Sequence, residues 1–215
     1  MSAWGNACGL VRSTETPRLG GSGVRIGVLG GTFDPPHRGH LHAAKAAIER
    51  LGLDRLLIIP AAAQPLKAMA PGAGGSHRLA MTRLLAAEVP GATADPVELD
   101  RGGLSFTVDT LRSLRARWPD PSVEFVLILG EDAAAAFSRW KDADVIRRMA
   151  RVAVVARGGG VAAGQELPEG LELLEAPRVD VAATEIRERL RKGESVASLV
   201  TEPVAAYIAA HGLYR

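Results

Sequence analysis

The chain has 215 residues, which fits one ordinary domain with a sizeable core and is too short for two large ones. Its 26 Lys and Arg residues barely exceed its 24 Asp and Glu residues and are scattered, which excludes a basic tail of the kind that binds nucleic acid. It has a single cysteine, no apparent secretion signal and no uncharged apolar run of about 18 residues, so we expect a cytoplasmic protein that binds neither nucleic acid nor a membrane.

The chain divides by composition into a short leader and one domain. Residues 1–23 mix Gly, Ser, Thr, Pro and Asn without periodicity, which predicts a flexible leader ahead of a single domain at 24–215. Short apolar runs in that domain predict strands at 24–31, 54–62, 123–130, 151–159 and 171–177. Helical spacing predicts helices at 41–52, 77–91, 106–118, 133–150, 184–193 and 203–214. The alternation predicts an α/β fold with a doubly wound, mostly parallel, Rossmann-like sheet and a ligand crevice at the carboxyl ends of its strands.

The stretch from Gly30 to His40 joins the first predicted strand to the first predicted helix and reads GGTFDPPHRGH. At such a junction free backbone amides and the helix dipole bind anions, and Gly30 and Gly31 allow a phosphate to approach the backbone closely. His37 and His40 are three residues apart at the helix start, so they can share one face and donate hydrogen bonds to phosphate oxygens. This pattern predicts a phosphate site with two imidazole donors.

A zinc site is the alternative reading of these histidines. Together with His42 they have spacings of three and two, which cannot place all three on one helical face, and no Cys or acidic cluster accompanies them. We therefore predict that protein side chains hold no metal ion here.

The motif GGTFDPPHRGH closely resembles the GxFxPxHxGH signature of the nucleotidyltransferase superfamily that includes the nicotinate-nucleotide adenylyltransferases. The resemblance implies that His37 and His40 are catalytic and bind the triphosphate of ATP, and that Mg²⁺ accompanies ATP. It also implies that the acceptor phosphate attacks the α-phosphorus in line, without a covalent enzyme intermediate. By the same resemblance the ATP-binding residues of this motif are Gly30, Gly31, Thr32, Phe33 and Gly39. The attacking phosphate is already an anion, so positioning and charge neutralisation matter more than proton transfer.

A second motif, VAATEIR at 181–187, opens a late predicted helix. From the residues alone, Thr184 caps this helix, and Arg187 lies one turn further on, either solvated or bound to phosphate. The segment resembles the ISSTxIR motif of the family, which implies that Thr184 binds ATP and that Arg187 is catalytic at the β- and γ-phosphates. Ala182 and Ala183 stand where that motif has serines, so we expect activity to survive with weaker ATP binding.

Three middle segments indicate the acceptor. The loop 60–67 resembles a family loop that leads to a lysine, which implies that Lys67, taken alone a plain loop lysine, meets the acceptor phosphate. SFTVDTL at 105–111 resembles SYTxDTL, which implies that Thr107, otherwise an ordinary N-cap, meets the nicotinate carboxylate.

The third segment, at 130–140, resembles GxDxxxxFxxW. This resemblance implies that Asp132 meets a ribose and that Trp140 lies by the pyridine ring. For Phe137 we expect packing in the core instead.

The five segments occur in the order of the family, from Val24 to the C-terminus. We therefore expect an adenylyltransferase that makes deamido-NAD and pyrophosphate from nicotinate mononucleotide and ATP, in NAD biosynthesis, and that can form a homo-oligomer. Two alternatives stay open. One is the same chemistry on another acceptor, such as phosphopantetheine, and the other is a nucleotide-binding regulator that has lost turnover.

Overall fold

The computed structural model describes residues 23–65, 71–157, 170–176 and 179–215. The described strands form one sheet: β1 (Arg25–Gly31), β2 (Arg55–Pro60), β3 (Ala92–Ala94), β4 (Glu124–Gly130), β5 (Arg151–Arg157) and β6 (Leu171–Ala176). Apolar runs rich in Val, Ile and Leu build β2, β4 and β5, and each of the five strand pairings is parallel. The predicted α/β class with a parallel sheet is confirmed.

The order of the strands locates the crevice. It is β3-β2-β1-β4-β5-β6, so the first and fourth strands are neighbours at the centre of the sheet. Val28 of β1 pairs with Leu57 of β2 on one side and with Leu127 of β4 on the other. A doubly wound sheet opens a crevice at the carboxyl ends of the two strands where the order reverses, and here those ends are Gly31 and Gly130.

Helices cover both faces of this sheet. Those in the described part of the chain are α1 (Arg38–Leu51), α2 (Gly75–Ala86), α3 (Val97–Arg101), α4 (Thr107–Arg117), α5 (Glu131–Ala135), α6 (Ala143–Met149), α7 (Ala183–Arg191) and α8 (Glu202–Ala210). Strand residues alternate between two cores: Ile128 packs with residues of α1 and α2, and Leu127 with residues of α4 and α6. A third core joins α2, α7 and α8. None of these helices has the length and apolar character needed to cross a membrane.

The predicted helix over 133–150 is wrong, because the chain is broken there. It forms α5, a 3-10 turn at Phe137–Arg139 and then α6, with Trp140 extended (ψ 147°) and Asp142 left-handed (φ 55°). The break allows Phe137 to be fully buried, as expected from the sequence, while Trp140 lines the crevice. Such a break in the helix cannot be predicted from an alanine-rich segment with helical spacing.

The sequence prediction also misses β3 and α3. They have three and five residues, too few to show a period. α3 supports the start of α4, since Glu98 of α3 is buried and accepts a hydrogen bond from Thr110 Oγ1 of α4 at 2.6 Å.

Candidate active site

A cleft of about 650 Å³ opens where the strand order reverses, at the carboxyl ends of β1 and β4. Nine of the predicted site residues line it: Gly30, Gly31, Thr32, His37, Gly39, His40, Thr107, Asp132 and Trp140. The loop after β1 and the start of α1 form one end, called the histidine end below. The start of α4 and the chain from Asp132 to Lys141 form the other, the tryptophan end. Segments far apart in sequence therefore share one cleft.

Glycines leave the strand ends in this cleft uncovered. A Cβ atom at Gly30 or at Gly130 would meet no heavy atom within 4 Å. Gly31 differs, because a Cβ there would lie 3.0 Å from the ring of Phe33, closer than an ordinary contact. The backbone of β1 therefore reaches the cleft with open space above Gly30, where a ligand can approach closely.

His37 and His40 lie side by side at the histidine end. His37 is the N-cap residue of α1, His40 is its third residue, and their ring centroids are 3.8 Å apart. The main-chain N–H of His37 donates a hydrogen bond to Nδ1 of His40 at 3.2 Å. Because Nδ1 accepts this bond, a neutral His40 carries its proton on Nε2, which is then a donor. The pair lies at the positive end of the α1 dipole and suits an anion.

Phe33 and Gly39 support the two rings. Phe33 is 1% exposed, with a left-handed φ of 50°, and its ring centroid lies 4.8 Å from that of His40. A Cβ atom at Gly39 would come within 3.0 Å of the His37 ring. The side chain of Phe33 therefore builds the loop rather than the wall of the cleft, and Gly39 leaves room for His37.

Arg187 and Thr184 meet at the start of α7. Arg187 donates from Nη1 to the main-chain oxygen of Asp34 at 2.7 Å and from Nη2 to Thr184 Oγ1 at 3.3 Å. The predicted cap at Thr184 is wrong, because the helix begins one residue earlier, at Ala183. Its N-cap is the extended Ala182, which has no side-chain cap hydrogen bond. The hydroxyl of Thr184 therefore lies within the first turn, where it faces Arg187.

Two buried polar residues near the cleft were not predicted as site residues. Asp34 is 4% exposed and accepts hydrogen bonds from the main-chain N–H groups of residues 72–73 at 2.7 and 2.9 Å. Arg78 of α2 is 2% exposed and donates to the carbonyl oxygens of Thr32 and Ala61 at 2.8 and 2.7 Å. Together they tie the loop after β1 to the loop after β2.

The tryptophan end includes a cation that the sequence prediction overlooks. Thr107 is the first residue of α4, one position inside the helix rather than its cap, which is Phe106. Phe106, Trp140 and Lys141 line the cleft. The ammonium group of Lys141 lies 4.6 Å from the centroid of the Phe106 ring and 3.1 Å from Oδ2 of Asp109. That hydrogen bond from Lys141 lowers the pKa of Asp109, so the carboxylate is ionised at neutral pH and holds the ammonium group in place.

The predicted acceptor lysine, Lys67, lies outside the described residues. Gln64 and Pro65, just before it in the chain, line the cleft. Within the described ranges, no group of three or more His, Cys, Asp or Glu side chains is arranged to hold a metal ion.

Comparison with known proteins places the chain in a family. Residues 28–189 match the family model described as cytidylyltransferase-like. A probable nicotinate-nucleotide adenylyltransferase of Gemmatimonas aurantiaca is 46% identical over 199 residues, which cover 89% of this chain and 93% of that protein. A protein of the same name from Roseiflexus sp. is 45% identical over 202 residues, which cover 90% of this chain and 100% of that protein.

A solved structure has the same fold. It is the nicotinic acid mononucleotide adenylyltransferase of Plasmodium falciparum complexed with NaAD, with a TM-score of 0.71 and 17% identity, over 89% of this chain and 97% of that one. The sheet is thus a Rossmann-like nucleotidyltransferase fold. Given the family model and the identity to these relatives over nearly their whole length, the chain belongs to the cytidylyltransferase-like family and, within it, to the nicotinate-nucleotide adenylyltransferases.

Proposed function

We propose that this protein transfers the adenylyl group of ATP to the phosphate of nicotinate mononucleotide, forming deamido-NAD and pyrophosphate as a step of NAD biosynthesis. The observation that carries the proposal is a single cleft whose histidine end suits a triphosphate and whose tryptophan end suits an aromatic ring with an acidic substituent. The names of the relatives point to the same reaction. We expect it to act in the cytoplasm.

The triphosphate of ATP would occupy the histidine end. Backbone groups of Gly30, Gly31 and Thr32 would approach it, while His37 and His40 donate hydrogen bonds to its oxygens. An oxygen of the acceptor phosphate attacks the α-phosphorus, the bond from the α-phosphorus to the bridging oxygen of the β-phosphate breaks, and pyrophosphate leaves with that oxygen. The attacking oxygen is already anionic, so no proton has to be removed.

Arg187 and Thr184 would bind the β- and γ-phosphates. Their contact at the start of α7 and the bond from Arg187 to the main-chain oxygen of Asp34 hold the guanidinium beside the loop after β1. A rotation of this long side chain would then bring a cation to the phosphates as negative charge moves toward pyrophosphate. Gly39 would leave room for the ring of His37, and Phe33 would support the loop.

The nicotinate mononucleotide would occupy the tryptophan end. Trp140 would lie against the pyridine ring, Asp132 would accept a hydrogen bond from a ribose hydroxyl, and Lys67 would meet the acceptor phosphate. Thr107 is at the N-terminal end of α4, where main-chain N–H groups and the helix dipole favour a carboxylate. An acid would therefore be preferred over the corresponding amide.

Mg²⁺ would accompany ATP. The histidine end offers nitrogen donors, and the buried carboxylate of Asp34 already accepts two main-chain N–H groups, so the described side chains do not form a cage of oxygen ligands. This donor set fits an ion that is held mainly by phosphate oxygens and water. Bound in that way, Mg²⁺ would neutralise part of the triphosphate charge.

The test is pyrophosphate release from ATP and Mg²⁺ with three acceptors in parallel: nicotinate mononucleotide, nicotinamide mononucleotide and phosphopantetheine. We expect the highest kcat/KM with nicotinate mononucleotide, and deamido-NAD as the product by mass. Higher kcat/KM with phosphopantetheine would overturn the assignment of the tryptophan end. Binding of ATP without release from any acceptor would indicate a nucleotide-binding regulator instead.

A further inference from the structure

Tyr214, one residue from the C-terminus, reaches back to the loop after β1. Its hydroxyl donates a hydrogen bond to Oδ1 of Asp34 at 2.8 Å, between residues 180 positions apart in sequence. The backbone of Tyr214 is left-handed, with φ 66°, a conformation that costs free energy for any residue with a Cβ atom. A residue keeps such a conformation only where its contacts hold it, and the hydrogen bond to Asp34 is one of those contacts.

The carboxylate of Asp34 accepts three hydrogen bonds from the part of the chain that the structure describes. Besides the Tyr214 hydroxyl, the main-chain N–H groups of Gly72 and Ala73 donate to it at 2.7 and 2.9 Å. Burial and then the hydrogen bond to Asp34 raise the pKa of Tyr214, so its hydroxyl keeps its proton and remains a donor at physiological pH. Neutral groups thereby make these three hydrogen bonds to the buried carboxylate, while the charges of Arg187 and Arg78 act on it without a hydrogen bond.

Arg187 forms an ion pair with this carboxylate, but at a distance too long for a hydrogen bond. Its Nη1 lies 2.7 Å from the main-chain oxygen of Asp34 but 3.7 Å from Oδ2. The other nearby cation, Arg78, is occupied by the carbonyl oxygens of Thr32 and Ala61. If the Tyr214 hydroxyl were removed, Arg187 would be the group free to move onto the under-satisfied carboxylate.

Tyr214 and Arg187 also share a neighbour. A Cβ atom at Gly72 would lie 3.4 Å from the ring of Tyr214 and 3.4 Å from Cδ of Arg187. The tyrosine ring and the arginine side chain therefore border the same glycine, whose main-chain N–H donates to Asp34.

We propose that Tyr214 is a positioning residue for ATP binding: its hydroxyl satisfies the carboxylate of Asp34, so that Arg187 rests on a neutral carbonyl oxygen and stays available to the triphosphate. This inference rests on the proposed function, because it assigns Arg187 to the phosphates of ATP. Without the hydroxyl, Asp34 competes with ATP for Arg187.

The test compares Tyr214→Phe with Tyr207→Phe in the full chain. Tyr207 is the matched control, because it also lies near the C-terminus and also makes one hydroxyl hydrogen bond, to Nδ1 of His77 at 3.0 Å, away from Asp34. For Tyr214→Phe we expect kcat/KM for ATP to fall about fivefold, the size of one ordinary hydrogen bond, with the KM for nicotinate mononucleotide unchanged. Tyr207→Phe should leave both values unchanged. Thermal unfolding of both variants checks that each is folded.

An unchanged kcat/KM for ATP in Tyr214→Phe would overturn the proposal, as would a rise of the same size in the KM for nicotinate mononucleotide or the same loss in Tyr207→Phe. The dissociation constant of ATP with Mg²⁺, measured by calorimetry, gives a readout that does not need turnover. A wild-type chain that turns over no acceptor would defeat the proposed function, while a weaker ATP affinity in Tyr214→Phe alone would still support the role of Tyr214.

Discussion

At Gly30, the effect of an added side chain on ligand binding can be told apart from its effect on folding. Its neighbour Gly31 is needed within the protein itself, because a Cβ there would press on Phe33, whereas the space beside Gly30 is open. If a triphosphate fills that space, the absence of a side chain at Gly30 serves the ligand alone.

Gly30→Ala should therefore raise the KM for ATP by a factor between about five and about 150, since a methyl group in a well-packed contact forces a shift that costs about 1–3 kcal/mol. Stability should be almost unchanged. The measurements are steady-state kinetics with ATP as the varied substrate and thermal unfolding without ligand.

Gly74→Ala is the control for this substitution. A Cβ at Gly74 would also meet nothing within 4 Å, and Gly74 does not line the cleft. Its KM for ATP should match that of the wild type. Equal kinetics in the two variants would mean that no phosphate approaches the backbone at Gly30.

At the scale of the elements, α7 begins weakly, although its first turn carries the predicted phosphate motif. Ala182 is the N-cap residue, extended and exposed, and it supplies no side-chain hydrogen bond to the free main-chain N–H groups. Serine at an N-cap accepts such a bond, and its loss to alanine typically costs about 1 kcal/mol.

Ala182→Ser should therefore increase the free energy of unfolding by about 1 kcal/mol, measured by urea denaturation. Ala183→Ser is the control, because position 183 is already inside the helix, where serine is slightly less favourable than alanine. Only the first variant should be stabilised. A gain in both, or in neither, would contradict the assignment of the cap. The KM for ATP of the two variants then tells whether either added hydroxyl also contacts phosphate.

The same scale explains which elements the sequence could predict. Long apolar strands and helices with clear spacing follow from periodicity and local backbone chemistry. One example is α1, whose C-cap residue is Gly52. The break at Trp140 does not, because it depends on burying Phe137 and turning the indole into the cleft. The burial of Arg78 could have been predicted from the sequence. It lies three residues before Met81 and seven before Leu85, so it shares the buried face of α2 with them.

For the molecule as a whole, the motifs indicated which segments share the cleft but not which contacts support those segments. Residues of the β1 loop and of the β4 segment could be expected to meet, because the carboxyl ends of parallel strands share one edge of a sheet. The contacts of Tyr214 with Asp34 and of Lys141 with Phe106 join parts of the chain whose approach only the complete fold determines. No local pattern marks them.

Lys141 is the supporting residue with the clearest consequence for specificity. Its ammonium group lies over Phe106, at the end of the cleft where α4 begins, and Asp109 keeps it there. A positive charge near a ligand carboxylate, partly screened by water, contributes about 1 kcal/mol, and it contributes far less to an uncharged amide.

Lys141→Met should therefore lower the ratio of kcat/KM for nicotinate mononucleotide over nicotinamide mononucleotide about fivefold, with most of the loss on the acid. Arg112→Met is the matched control, since Arg112 also pairs with Asp109, at 2.9 Å, but does not line the cleft. If both variants shift the ratio equally, the effect comes from Asp109 and the helix it stands on. If neither does, the main-chain N–H groups at the start of α4 select the acid by themselves, and the lysine only packs on the phenyl ring.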